Sequence, residues 1–212
     1  MTKEITASGL SLRTAVAMLV FSLAFTALMA GSYLLTRDRI AKSAEAEKLL
    51  LIDQILPRST YNNALLSDVK TLPATQEIGL DQGGNVWRAR MDGKPAALVI
   101  EAAAPDGYSG RIELVVAVSA TGEVLGARVT QHRETPGLGD YIDPRKDKNK
   151  AKPWISQFEH RGAELPASAW TVKKDGGQFD YATGATISAR AVTRAVGRVA
   201  AYAAANRESL FR

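Results

Sequence analysis

Residues 112–131 read IELVVAVSATGEVLGARVTQ, and they decide the fold class. Ile112, Leu114, Val116 and Val118 recur at every second position, the period of a pleated strand whose alternate side chains share one face. Ala120-Thr121-Gly122-Glu123 supplies a turn, and Val124–Gln131 returns as a second strand. Towards the N-terminus, Asn85–Met91 has strand content, with Val86, Trp87 and Ala89, and ends on the hairpin signal Asp92-Gly93. Ala96–Ala104 follows, rich in Leu98, Val99 and Ile100, and Asp106-Gly107 breaks that run. The stretch 59–84 is weakly patterned and reads as loop with short elements. Together these runs predict a twisted antiparallel sheet. No repeat of fixed period is visible.

Towards the C-terminus, QHRETPGLGD at 131–140 is a loop punctuated by glycine and proline. DPRKDKNKAK at 143–152 carries a net charge of +3 and reads as a solvated loop. Pro153 suits a first helical turn, with Trp154, Ile155 and Phe158 packing behind it. Trp170–Val172 reads as a further strand, ended by Asp175-Gly176-Gly177. A helix is predicted from about Ser188 to Asn206, with Val192, Val196, Val199 and Ala203 as its apolar stripe. Arg190, Arg194 and Arg198 fall on another face, read as exposed. Sheet and helices segregated in this way make the class α+β.

The 23 residues Thr14–Thr36 carry no charge and are bracketed by Arg13 and Arg37. As a helix they would span roughly 34 Å, enough for a hydrocarbon core of about 30 Å. A cleaved signal peptide would have a shorter apolar region and a better cleavage site than Leu28-Met29-Ala30, so an uncleaved anchor is expected. Ala41–Leu56 continues as a helix to Pro57. The layout predicted is residues 1–13 before the membrane, an anchor at 14–36, a juxtamembrane helix at 37–58 and a water-soluble domain at 59–212. Positive residues flank both ends of the anchor, so charge alone does not orient it.

Composition narrows the chemistry. The chain has no cysteine and two histidines, His132 and His160. Disulfides, thiolate metal sites and cysteine nucleophiles are excluded, and a histidine metal centre is not expected. The net charge of +5 falls to +3 over residues 41–212, with no nucleic-acid recognition motif. No catalytic residue and no metal ligand is assigned.

The informative site is DYATGATIS at 180–188. Thr183, Thr186 and Ser188 place three hydroxyls within six residues, and Gly184 lets a ligand approach the backbone. Ser188 can cap the helix, whose first amides favour an anion. On geometry alone, an ordinary N-cap beside turn residues is the plainer reading. The segment is neither a Walker loop nor a dinucleotide fingerprint.

The pattern D-x-x-[S/T]-G-A-T-x-[S/T] resembles the flavinylation motif of covalent FMN-binding domains. In that family a flavin transferase uses FAD to join FMN, through a phosphoester, to the last threonine of the core. The resemblance therefore assigns Thr186 as the acceptor, with Asp180, Thr183, Gly184, Ala185 and Ser188 in the other motif positions. APDGYSG at 104–110, HRETPGLGD at 132–140 and VKKDGGQFD at 172–180 are similar to the G subunit of the Rnf (also Rsx) ion-translocating electron-transport complex. The lysine-rich stretch 145–152 departs from that family's pattern.

Membership implies one covalent FMN per chain, other membrane and peripheral Rnf-type subunits as partners, and a flavin transferase for maturation. It also implies a bacterial inner-membrane location, the N-terminus cytoplasmic and the flavin domain periplasmic. The activity implied is electron transfer within a complex that couples ferredoxin and NAD(H) chemistry to ion translocation. Thr135, Gly137 and Leu138 are expected to line the flavin. Lys173 and Lys174 read as solvent-exposed, with a role towards reduced flavin as the alternative, and His132 reads as structural. Two other functions stay open: the FMN subunit of a complex like the sodium-pumping NADH:quinone reductase, and a non-redox periplasmic binding or assembly module.

Overall fold

The alternating run at 112–131 forms two neighbouring strands in a computed structural model of the chain, which describes residues 7–162 and 164–212. They are β4 (Gly110–Ser119) and β5 (Glu123–Gln131). Four more strands complete a sheet: β1 (Val69–Leu72), β2 (Gly84–Met91), β3 (Lys94–Gly107) and β6 (Arg161–Gly162). Their spatial order is β1-β2-β3-β4-β5-β6, with every neighbouring pair antiparallel. With the helices below, the architecture is α+β.

Both faces of this sheet are covered, so the central strands bury side chains of both parities. On one face Leu98, Ile100, Ile112, Leu114 and Val116 pack with the stripe Val192, Val196 and Val199 of a helix, α2 (Thr186–Ala205). On the other face Trp87, Ala89, Val99, Val115 and Ala117 pack with Ile52, Ile55 and Leu56. Those last residues belong to the end of a 49-residue helix, α1 (Ala7–Ile55), and the segment just after it. A Cβ at Gly126 would meet Ile55 Cβ at 2.9 Å, so glycine permits the close approach there. A short helix, α3 (Arg207–Phe211), closes the C-terminus.

The chain divides into two compact units, residues up to Glu47 and residues 48–212. Within the first, Leu10–Ile40 forms one helix long and apolar enough to cross a membrane, with mean hydropathy 2.0. Its large side chains, among them Leu19, Phe21, Leu28 and Leu35, are exposed. A 31-residue helical stretch is about 46 Å long, which exceeds the hydrocarbon thickness. Of the segment expected before the membrane, residues 1–6 lie outside the described residues.

Several expectations are corrected. Asp106-Gly107 does not end the third strand: pairing resumes at Gly107↔Gly110 after a bulge beyond Ala104. Trp170–Val172 is not a strand. Only an isolated bridge, Val172↔Phe179, forms there, because Trp170 turns inward to stack with Phe179 at 5.1 Å between ring centroids. The helix expected from Ser188 begins two residues earlier, with Ala185 as its N-cap. Ser188 is therefore not the cap. Its hydroxyl is buried and donates to the Glu134 carboxylate. The arginine face is only partly solvated: Arg190 donates to Asp175 Oδ1 at 2.9 Å, and half-buried Arg198 donates to the Ala103 carbonyl at 3.4 Å.

The 143–152 run is likewise more than a solvated loop. Asp143 and Asp147 are 3% and 8% exposed, and their carboxylates organise the segment from within. Asp143 Oδ1 accepts the Arg145 amide at 2.9 Å, and Asp147 accepts the amides of Asn149 and Trp154. Beyond it, Trp154–Phe158 forms a 3-10 helix with Pro153 as its N-cap.

Candidate functional site

The motif 180–188 lies between an irregular segment and the first turn of α2. Gly184 adopts φ +89°, a left-handed conformation that a side chain would strain. A Cβ built there would meet only Leu138 Cδ1, at 3.6 Å, so the constraint is the backbone and not crowding. Thr186 is the first helical residue and is half-buried. Ala185 has no side-chain oxygen to cap the helix, and no side-chain cap is made. The first-turn amides, which have no partner inside the helix, thus keep their partial positive charge beside Thr186.

Tyr141 pins this turn. Its hydroxyl accepts the Ala182 amide at 3.1 Å and donates to the Ala185 carbonyl at 3.3 Å. Burial pushes the Tyr141 hydroxyl up from its ordinary pKa, opposed by the Ala182 amide, so the phenol stays protonated and able to donate. Within the turn, the Ala185 amide also donates to the Ala182 carbonyl at 3.0 Å.

Asp180 is held through its backbone. Gln157 accepts the Asp180 amide at 2.7 Å, and Trp154 Nε1 donates to the Asp180 carbonyl at 2.6 Å. The exposed carboxylate accepts from Lys173 Nζ at 2.6 Å. Lys173 is thus committed to Asp180. Thr183 is exposed, and Ala185 is buried.

The loop 132–140 comes up against the motif. Glu134, 4% exposed, accepts from Ser188 on α2 and from the Ser109 amide at 3.1 Å. One buried carboxylate therefore joins three segments: the β3–β4 turn, the 132–140 loop and α2. Thr135 closes the loop by accepting the amides of Leu138 and Gly139 at 3.1 and 3.0 Å. Gly137, at φ +74°, donates its amide to Asp140 Oδ1 at 2.9 Å. His132 Nδ1 accepts the Glu134 amide at 3.1 Å, a local contact within the loop.

Two cavities adjoin the motif. One of about 120 Å³ is lined by Thr135, Leu138, Gly184, Ala185 and Ser188, with Tyr108 at its edge. The other, of about 460 Å³, is lined by Gly137 and Leu138 together with Asp180, Tyr181 and Ala182. Leu138 borders both. Thr135, Gly137 and Leu138 thus share cavities with the motif. Tyr108, Leu138 and Ile187 leave 66%, 46% and 42% of their surfaces exposed around it. Sequence reasoning misses Tyr141, Glu134, Trp154 and Gln157 as supports. Glu134 lies within the HRETPGLGD motif, but its partner Ser188 is 54 residues away, a pairing that no spacing rule reveals.

A family model for the FMN-binding domain matches residues 107–201, and one for the RnfG N-terminal region matches residues 1–55. The G subunit of the ion-translocating oxidoreductase complex of Pseudoalteromonas atlantica is 42% identical over 193 residues, 91% of this chain and 87% of that protein. The protein of the same name from Escherichia coli K12 is 45% identical over 185 residues, 87% of this chain and 86% of its own length. That of Pseudomonas aeruginosa PAO1 is 41% identical over 200 residues, 94% and 91% of the two chains. The chain belongs to the RnfG family. The N-terminal match takes in the apolar helix Leu10–Ile40, and the FMN-binding match takes in both cavities and the whole 180–188 motif.

Proposed function

We propose that this chain is a membrane-anchored flavoprotein subunit that carries electrons through FMN phosphoester-linked to Thr186. The observation that carries the reading is the placement of Thr186. It is the first residue of a 20-residue helix whose cap offers no side-chain oxygen, two residues after a glycine in a left-handed conformation whose one near neighbour is the Leu138 side chain. An anionic phosphoester fits there, because the amides of the first turn supply donors and the macrodipole favours negative charge. When bound, FMN would supply reversible one- or two-electron redox chemistry, and the chain has no cysteine pair to supply two-electron chemistry of its own.

The chain's own residues divide the remaining work. Thr186 offers the acceptor hydroxyl to a flavin transferase. Tyr141 fixes the turn through Ala182 and Ala185. Gln157 and Trp154 fix the backbone at Asp180, and Glu134 ties Ser188 to the 132–140 loop. Thr135, Gly137 and Leu138 wall the adjoining space. The name the relatives carry, together with the anchor, supports work inside an ion-translocating oxidoreductase complex of Rnf type; in this proposal the complex couples ferredoxin and NAD(H) electron transfer to ion translocation. In this reading the N-terminus is cytoplasmic and the flavin domain periplasmic at a bacterial inner membrane. The anchor then keeps the domain near its partners at high effective concentration.

The test is intact mass of the full chain produced together with a flavin transferase. Wild type is expected to carry one FMN, Thr186→Ala none, and Thr71→Ala, an exposed position on β1 outside the motif, one. An unmodified wild-type mass, or flavin retained by Thr186→Ala, overturns the assignment.

A further inference from the structure

The basic run 143–152 lies outside the 180–188 motif, yet two buried carboxylates give it a defined fold. Asp143 and Asp147 turn their carboxylates inward and hold it as a folded wall. Its lysines point elsewhere. Lys146, Lys148 and Lys152 are exposed and line the cavity of about 460 Å³, as do Asp180, Tyr181 and Ala182. Lys150 differs, because its ammonium donates to the carbonyls of Arg145 at 2.6 Å and Pro144 at 3.3 Å.

The carboxylates around this basin are already engaged. Asp140 accepts the Gly137 amide, Asp147 accepts two amides, and Asp180 is paired with Lys173. A ligand entering the basin therefore meets exposed ammonium groups, two carboxylates turned into the fold at Asp140 and Asp147, and one exposed carboxylate, Asp180, neutralised by Lys173. The basin also has an aromatic wall: Tyr141 and Trp154 pack edge-to-face at 5.4 Å, and Tyr181 lies alongside. Its volume falls within the roughly 300–1,000 Å³ of small-molecule sites. A planar aromatic ligand that gains negative charge suits both features.

We propose that this basin receives the ring system of the FMN borne by Thr186, and that Lys146, Lys148 and Lys152 stabilise the negative charge it acquires on reduction. The inference rests on the preceding reading. Two electrons and one proton convert the bound flavin to its reduced monoanion. A redox carrier of a partner subunit supplies the electrons and water supplies the proton. Positive groups near the pyrimidine end favour that anion and raise the potential.

The test is a dithionite titration of the purified, flavinylated full chain against reference dyes at pH 8. Changing Lys146, Lys148 and Lys152 together to glutamine is expected to lower the two-electron reduction constant about tenfold, close to 30 mV. Each single variant carries roughly a twofold part of this, so the measurement survives poor loading of the triple variant. The difference should shrink at high salt, because exposed charges are screened. Lys94→Gln, at the other end of the 14-residue β3 from the site, should leave the potential unchanged. A wild-type chain without FMN by mass overturns the preceding reading and this one with it. A loaded chain whose potential ignores the triple and single lysine changes overturns this one alone.

Discussion

Residues 84–131 and residues 132–188 are held together by different means. The first stretch is four strands, and its backbone is satisfied by neighbouring backbone along continuous ladders. The second has almost no ladder. Its backbone is satisfied by short turns, such as Leu138 on Thr135 and Ala185 on Ala182, and by side chains: Asp140 on Gly137, Asp147 on Asn149 and Trp154, Glu164 on Gly162, Gln157 on Asp180 and Tyr141 on Ala182. Ladders and packing set the first region; in the second, turns and individual polar contacts carry the chain around a small aromatic core of Phe158, Trp170 and Phe179. The site sits in the second, so losing one polar group there should loosen the motif while the sheet stands.

The largest effect is expected where packing rules. Ile100 is fully buried between its ladder partners Val86 and Val116. Ile100→Ala should cost about 2–5 kcal/mol, read as a lower urea midpoint of the full chain in detergent. FMN per folded molecule should not change. If the surviving folded fraction loses flavin in proportion to stability, the separation between the two regions breaks down.

Tyr141→Phe probes the other side of the contrast. It keeps the ring against Trp154 and deletes the hydroxyl that serves both Ala182 and Ala185. Leaving the half-buried Ala182 amide without its acceptor should cost about 1–3 kcal/mol. The sharper expectation is slower flavin attachment, followed by mass over time with a limiting amount of transferase. A stability loss with an unchanged attachment rate would make Tyr141 a packing residue only.

The same contrast explains what can be read without a structure. The period of Ile112, Leu114, Val116 and Val118 is enough to place β4 and its partner, because alternation is imposed by the pleat itself. The stripe on α2 is legible for the same reason. The 180–188 motif can be found as residues, but its supports cannot. Tyr141 and Glu134 reach it across 41 and 54 positions, and such contacts leave no periodic trace. Ser188 looks like a cap because a hydroxyl near a helix start usually bonds an amide, and here a buried carboxylate competes for it. The inward turn of Asp143 and Asp147 is hidden behind the charges around them.

The smallest effect lies at the margin of the first region, where Asp68, just before β1, pairs with two arginines of β2 and charge adds to the packing of Leu72 and Val86. Asp68 accepts from Arg88 Nε and from Arg90 Nε, the latter at 2.8 Å, and Arg90 also donates to the Phe211 carbonyl at 2.7 Å. Burial acts to raise the Asp68 carboxyl, but the hydrogen bonds and charges of the two arginines outweigh it and hold it below the usual range. A depressed folded-state value means the stabilisation is complete above the unfolded value of about 3.9 and is lost as pH falls through the folded one. Asp68→Asn should therefore cost about 1 kcal/mol at pH 7, allowing for partial solvent exposure. The gap between variant and wild type should stay constant from pH 7 to about 5 and close below about 4. Urea midpoints of both chains across that range provide the check. A gap that persists undiminished at pH 3 would mean that Asp68 acts by shape and hydrogen-bond geometry, and this edge would then belong with the packed sheet.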